Sequence, residues 1–162
     1  MRIVITGTTS GIGASLALHY AREGVTLGLI GRRQERLEEV AERCTEQGAI
    51  AFPGAIDVCD AETMQEYARQ FVQEAGGIDL VIANAGIGAP DDLASGDAAS
   101  HARLFEVNVL GVLHTLLPFV PTMMQQRQGQ LVAISSIAGF RVLPGSTTYA
   151  ATKIAVRARS EE

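Results

Sequence analysis

Apolar residues recur along the chain in short runs, set apart by longer segments with helical spacing. Ile3-Val4-Ile5 is a β-branched run that predicts a first strand, Arg2 to Thr6. A glycine-rich turn follows from Gly7 to Gly13, then a helix over Ala14 to Glu23 closed by Gly24. Val25 to Ile30 predicts a second strand. Arg33 to Gln47 reads as an amphipathic helix with Leu37, Val40, Ala41 and Cys44 on one face. Glu39 is spaced to pair with Arg43 one turn on, and Gly48 suits the C-terminal cap. Ala49 to Ile56 predicts a third strand, weakened by Pro53 and Gly54.

Asp60 is a good N-cap for the next helix, whose buried stripe is Met64, Tyr67, Ala68, Phe71, Val72 and Ala75. Gly76-Gly77 ends it, and Ile78 to Ala83 predicts a fourth strand. Ile87 to Ser100 reads as a polar loop. A long helix fits Ala102 to Gln126, with Pro118 and Pro121 expected to bend or break it. Gln130 to Ser135 predicts a fifth strand, and the chain is helical again from Thr147. Strands alternate with helices, and the strand cores are continuous apolar runs, the mark of a parallel sheet covered on both faces. The expected fold class is α/β: a Rossmann-like doubly wound sheet of about five strands in the order 3-2-1-4-5, as one domain over residues 1–162.

Composition narrows the function. The chain has 162 residues and a formal charge of −5, so it lacks the basic balance of a general nucleic-acid binder. Lysine occurs once, as Lys153, and no Walker A loop can be written without a Gly-Lys pair. Cys44 and Cys59 lack CxxC spacing, so no metal site is expected; they read as two buried thiols in a reducing compartment. The apolar stretch Leu104 to Val120 is short and interrupted by Glu106, Asn108, His114 and Pro118, so no membrane partner is expected. No signal peptide precedes the first strand, and a cytoplasmic location follows as the default expectation. His19, His101 and His114 read as surface or core residues, and Tyr20 and Tyr67 as helix packing.

The 17 glycines include three at the first strand-to-helix turn, Thr6-Gly7-Thr8-Thr9-Ser10-Gly11-Ile12-Gly13. The spacing differs from GxGxxG, but its physical use is similar. Glycines let the backbone approach a pyrophosphate, while the helix N-terminus offers free N–H groups and a positive dipole. A plain flexible turn is the blander alternative. At the end of the second strand, where an NAD site carries a carboxylate, the chain reads Gly31-Arg32-Arg33. A guanidinium there suits a ribose 2′-phosphate, so NADP(H) is expected in preference to NAD(H). Solvated arginines at a helix start are the alternative reading.

Tyr149 and Lys153 lie four apart in the last predicted helix, on one face. A phenol titrates near pH 10, and a neighbouring ammonium lowers that value, so the pair suits acid–base work.

With these motifs the chain resembles the short-chain dehydrogenase/reductase family, of the NADP-preferring type. The motifs are the Thr6–Gly13 turn, Asn84-Ala85-Gly86, Asn108, Ser136 and Tyr149-Ala-Ala-Thr-Lys153, with 13 positions from Ser136 to Tyr149. The resemblance implies an oxidoreductase that transfers hydride between a nicotinamide cofactor and a small-molecule carbonyl or alcohol. It implies that Tyr149 exchanges a proton with the substrate oxygen. Lys153 would lower the Tyr149 pKa and hold the nicotinamide ribose. Ser136 would bind the substrate oxygen, and Asn108 would bend the long helix and anchor a proton-relaying water. Gly7, Ser10, Gly11, Ile12 and Gly13 would meet the pyrophosphate. Arg32 and Arg33 would lie by the 2′-phosphate, Asp57 and Val58 by adenine, and Asn84, Ala85 and Gly86 along the groove.

Ser135 in place of Ser136, and Asp57 as a plain turn cap, are the local alternatives. The family continues beyond the Tyr-Lys helix with further strands and a substrate-covering loop, so a C-terminally incomplete domain is expected. Three readings are open: the N-terminal part of such an enzyme, a dinucleotide-binding module without turnover, or a remnant that self-associates. A homodimer through the long helix and the Tyr-Lys helix is a further expectation of the resemblance.

Overall fold

The computed structural model describes residues 1–88, 96–142 and 144–160. Part of the expected loop between Ile87 and Ser100, and the Glu161-Glu162 end, lie outside the described residues. Five strands form one parallel sheet: β1 (Arg2–Thr6), β2 (Thr26–Gly31), β3 (Ile50–Ala55), β4 (Leu80–Ala83) and β5 (Gln130–Ala133). Their order is β3-β2-β1-β4-β5, as the alternation of elements predicts. The register sets Ile3 against Leu27 on one side and Leu80 on the other.

The sheet buries both faces. Ile3 and Ile5 join Leu27, Leu29, Leu37, Val40 and Cys44 in one core layer, beneath α1 (Gly11–Tyr20) and α2 (Gln34–Glu46). Val4, between them in sequence, points to the other layer with Ile30, Val81, Met64, Phe71 and Phe119. That second layer carries α3 (Ala61–Ala75) and the long helical run. Strand period two, with both sides apolar, is why the β1 sequence is a continuous β-branched run.

Several elements differ from expectation. α1 starts three residues earlier than predicted, opened by Gly11 at a φ of 55°, and Gly13 is helical despite its low propensity. Glu39 pairs with Arg36 at 2.8 Å instead of Arg43. β3 forms fully despite Pro53; it is an edge strand, where a missing N–H costs little. Asp60 caps α3 as predicted, its carboxylate accepting from Thr63 N at 3.0 Å. Cys44 is buried, but Cys59 is only half-buried, because it lies in the turn after β3.

The long helix begins at Ala98 and is composite: α4 (Ala98–Phe105), a π turn over Glu106–Leu110, α5 (Gly111–Leu116), a 3₁₀ turn at Leu117–Phe119 and α6 (Val120–Gln126). Pro118 coincides with the 3₁₀ turn, as its missing N–H requires. The run has 29 residues and its most apolar 18-residue window has a mean hydropathy of 1.5, so by length and composition alone this longer run, unlike Leu104–Val120, could cross a membrane. Its inner face is buried through Leu104, Val107, Val112 and Phe119, which is the packing of a core helix. The last helix, α7 (Thr147–Ser160), packs beside β5 and α4.

Candidate active site

The chain switches direction across the sheet at β1, between β2 and β4, and a crevice opens there beyond the strand ends. The cleft is about 480 Å³. Its walls are the β1–α1 turn (Gly7, Thr9, Ser10, Ile12), the β2 end (Gly31, Arg32, Arg33), the β3 end (Ile56, Asp57, Val58) and residues after β4 (Asn84, Ala85, Gly86, Ile87). Most of the expected cofactor residues therefore share one cavity.

The turn is held from both neighbours. Gly7 N and Thr8 N donate to Ile30 O at 2.8 and 3.1 Å. Asn84 Nδ2 donates to Thr6 O at 2.9 Å. Thr6, fully buried, accepts at Oγ1 from Asn84 N (3.2 Å) and Ala85 N (3.1 Å). Gly7 has a φ of 75°, and a Cβ there would stand 2.9 Å from Ala85 Cα. A Cβ at Gly13 would collide with Gly7 O. These contacts bring the helix N-terminus close to the strand ends. Ser10 makes no side-chain cap and the first turn of α1 holds no acidic residue, which suits an anion there. The uncapped amides at the end of the cleft suit a phosphate group.

The two arginines part company. Arg33 Nη2 reaches back over the turn to Thr9 Oγ1 and Ser10 Oγ, both at 3.1 Å. The Arg32 side chain is 61% exposed at the rim, 3.8 Å from Asp57 Oδ2. Asp57 both caps its turn, accepting from Cys59 N at 3.0 Å, and pairs with Arg103 at 2.8 Å.

Asn108, Tyr149 and Lys153 lie where the cleft meets α7. Lys153 is buried, and its Nζ donates to Ile134 O at 2.9 Å. Burial pushes the Lys153 ammonium below its ordinary pKa. Nζ stands 5.9 Å from the centre of the Tyr149 ring. A Cβ at Gly86 would lie 3.2 Å from Asn108 Oδ1 and 3.6 Å from Lys153 Nζ, so both polar heads border the cleft wall. A Cβ at Gly88 would lie 3.8 Å from the Tyr149 ring. Asn108 sits in the π turn, fully buried. It accepts from Ile87 N (2.8 Å) and donates to Ile87 O (2.9 Å) and Thr152 Oγ1 (3.2 Å). The helical turn at Asn108 is widened to a π turn over Glu106–Leu110.

Ser135 Oγ donates to Lys153 O at 3.0 Å, pinning α7 to the end of β5. Ser136 Oγ accepts from Ala138 N at 3.2 Å and opens a short 3₁₀ turn, Ile137–Gly139. Sequence reading missed Arg103, and it included Thr6 and Thr152 in its motifs without giving either a role. His101 and His114, given no role, bond Thr148 Oγ1 (2.7 Å) and Val58 O (2.9 Å).

The family model described as short chain dehydrogenase matches residues 1–162. The chain belongs to the short-chain dehydrogenase family. Members bind nicotinamide dinucleotides and act on small molecules. An uncharacterized oxidoreductase of Staphylococcus saprophyticus is 36% identical over 154 residues, covering 94% of this chain and 66% of the relative. A structure of NAD+-bound xylitol dehydrogenase matches at 30% identity and a TM-score of 0.93, covering 99% of this chain and 62% of that one. An alcohol dehydrogenase from the archaeon Thermococcus sibiricus, complexed with 5-hydroxy-NADP, matches at 34% and 0.92, covering 99% and 68%. The chain thus spans just under two thirds of the length of the curated relatives it matches first.

Proposed function

We propose that the protein transfers hydride between NADP(H) and a small carbonyl or alcohol, with Tyr149 as general acid–base. The observation that carries this reading is the Lys153 ammonium, buried and 5.9 Å from the Tyr149 ring, beside Gly86 of the cleft. Burial makes an uncompensated ammonium costly there. The pair sets a phenol and an ammonium on one helix face, the groups that proton exchange with a substrate oxygen calls for. Ile134 O fixes Nζ, and the Ser135 bond to Lys153 O fixes the helix that carries it. Asn108 anchors Ile87 and Thr152, holding the cleft wall against α7.

The bound nicotinamide would supply or take the hydride. Gly7, Ser10, Gly11, Ile12 and Gly13 would bind its pyrophosphate, and Asp57, Val58 and Asn84 to Gly86 its adenosine. Ser136 would donate to the substrate oxygen, where charge grows as hydride arrives. Likeness to an NAD-bound and an NADP-type complex leaves the nucleotide open. Arg32, exposed at the rim with no carboxylate on its own strand end, favours the 2′-phosphate.

Tyr149→Phe is the test. It should cut carbonyl reduction by roughly 100-fold or more while leaving NADPH affinity within about twofold, as a phenyl ring keeps the packing. Turnover that survives Tyr149→Phe would contradict the assignment.

A further inference from the structure

Asp57 follows the end of β3 in the cleft, and its carboxylate lies between two arginines from different elements. Arg103 Nη2, from α4, donates to Asp57 Oδ2 at 2.8 Å. Arg32 Nη1, following β2, stands 3.8 Å from the same oxygen. Asp57 Oδ1 faces inward to Cys59 N. Arg103 is braced in turn by Glu106 Oε2 at 3.1 Å, on the π turn. Burial pushes the Asp57 carboxyl up, but the Cys59 amide and the Arg103 guanidinium outweigh it and hold it below its ordinary range. The negative charge is therefore in place at neutral pH.

A carboxylate in a nucleotide cleft normally works against a 2′-phosphate and for a free ribose hydroxyl. Here it is matched by the nearer of two cations. We propose that Arg103 is a specificity-determining residue: by holding Asp57 it leaves the Arg32 guanidinium for the ribose 2′-phosphate. Arg32, Asp57, Arg103 and Glu106 together are neutral. Without Arg103 they carry a net charge of −1, and Arg32 needs to close only the gap from 3.8 Å to contact Asp57. The phosphate would then lose its partner and meet an anion. A cofactor without the phosphate would lose nothing there, because it sets no phosphate against Arg32. Arg103 thus acts through Asp57, from a helix outside the nucleotide motifs. The inference rests on the NADP(H) reading above.

The experiment is a titration of the chain with NADPH and with NADH, for the parent, Arg103→Ala, Arg103→Lys and Arg103→Ala combined with Asp57→Asn. Circular dichroism confirms the fold of each; the Arg103 side chain is 36% exposed on a helix surface, where truncation is tolerated. Arg103→Ala should lower the NADPH-over-NADH preference by roughly fivefold, the scale of a part-exposed ion pair. The fall should lie in NADPH affinity alone. Arg103→Lys should keep at least half of the preference, and Asp57→Asn should restore it to Arg103→Ala. A preference unchanged in Arg103→Ala, in a parent that favours NADPH, would overturn this proposal and leave the NADP(H) reading standing. An equal loss of both nucleotides, or no rescue by Asp57→Asn, would also overturn it. A parent that does not favour NADPH would overturn the reading beneath it.

Discussion

Gly13 and Gly11 stand two residues apart and serve different needs. At Gly13 the obstacle is contact: a Cβ would collide with Gly7 O, a backbone atom fixed by the Ile30 bond. At Gly11 there is open space but a φ of 55°, which an L side chain adopts only with strain. Gly13→Ala should therefore destabilise the fold by about 1–3 kcal/mol and weaken nucleotide binding, because the turn must move. Gly11→Ala should cost only about 1–2 kcal/mol. Urea denaturation compares the two, and a Gly13→Ala variant as stable as the parent would contradict the packing described for the turn.

Between elements, long-range polar contacts fix what hydrophobic packing leaves loose. Arg2 and Asp79 join the beginnings of β1 and β4: Nη2 lies 2.5 Å from Oδ1, and Arg2 N donates to Oδ2 at 2.7 Å. Hydrogen bonding from the Arg2 side chain, against a smaller opposing effect of burial, holds the Asp79 carboxyl below its ordinary range. A depressed carboxyl contributes stability that is present above its unfolded pKa, about 3.9, and lost as pH falls through the folded value. Asp79→Asn should thus cost about 1 kcal/mol at pH 7, and the gap to the parent should close below about pH 4. Thermal melts across pH 3–7 check this; a gap that persists in acid would contradict it.

The same scale explains what was legible in the sequence. Periodicity and runs report local burial, so the strands, the amphipathic α2 and α3 and the Asp60 cap could be read directly. Helical spacing marked Tyr149 and Lys153, and the family resemblance added Asn108 and Ser136. The contacts of Thr6, Arg103 and Thr152 escaped because their partners lie 78, 46 and 44 residues away in Asn84, Asp57 and Asn108, and no local pattern encodes such pairs. Glu39 chose Arg36 over Arg43 for a related reason: both spacings are reachable, and only the built helix decides.

For the whole molecule, the sheet order places the cleft beside β1 and leaves β5 at one edge of the sheet. Phe105, Leu110 and Leu117 of the long helical run and Ile154 of α7 are between 39% and 47% exposed. A homodimer, as the family resemblance implies, would cover apolar surface of this kind. Light scattering should give the mass of two chains, and Leu110→Glu should return it to one. A monomeric mass for the parent would count against the dimer.

The central claim is that the cleft of this chain binds a nicotinamide dinucleotide and reads its 2′-phosphate through Arg32. The direct measurement is cofactor fluorescence during titration with NADPH, and with NADH for comparison; the chain has no tryptophan to add background. The account predicts saturable binding that favours NADPH, and a loss of that preference by roughly tenfold in Arg32→Ala. Failure to bind either nucleotide, or equal affinity for both in parent and variant, would contradict it.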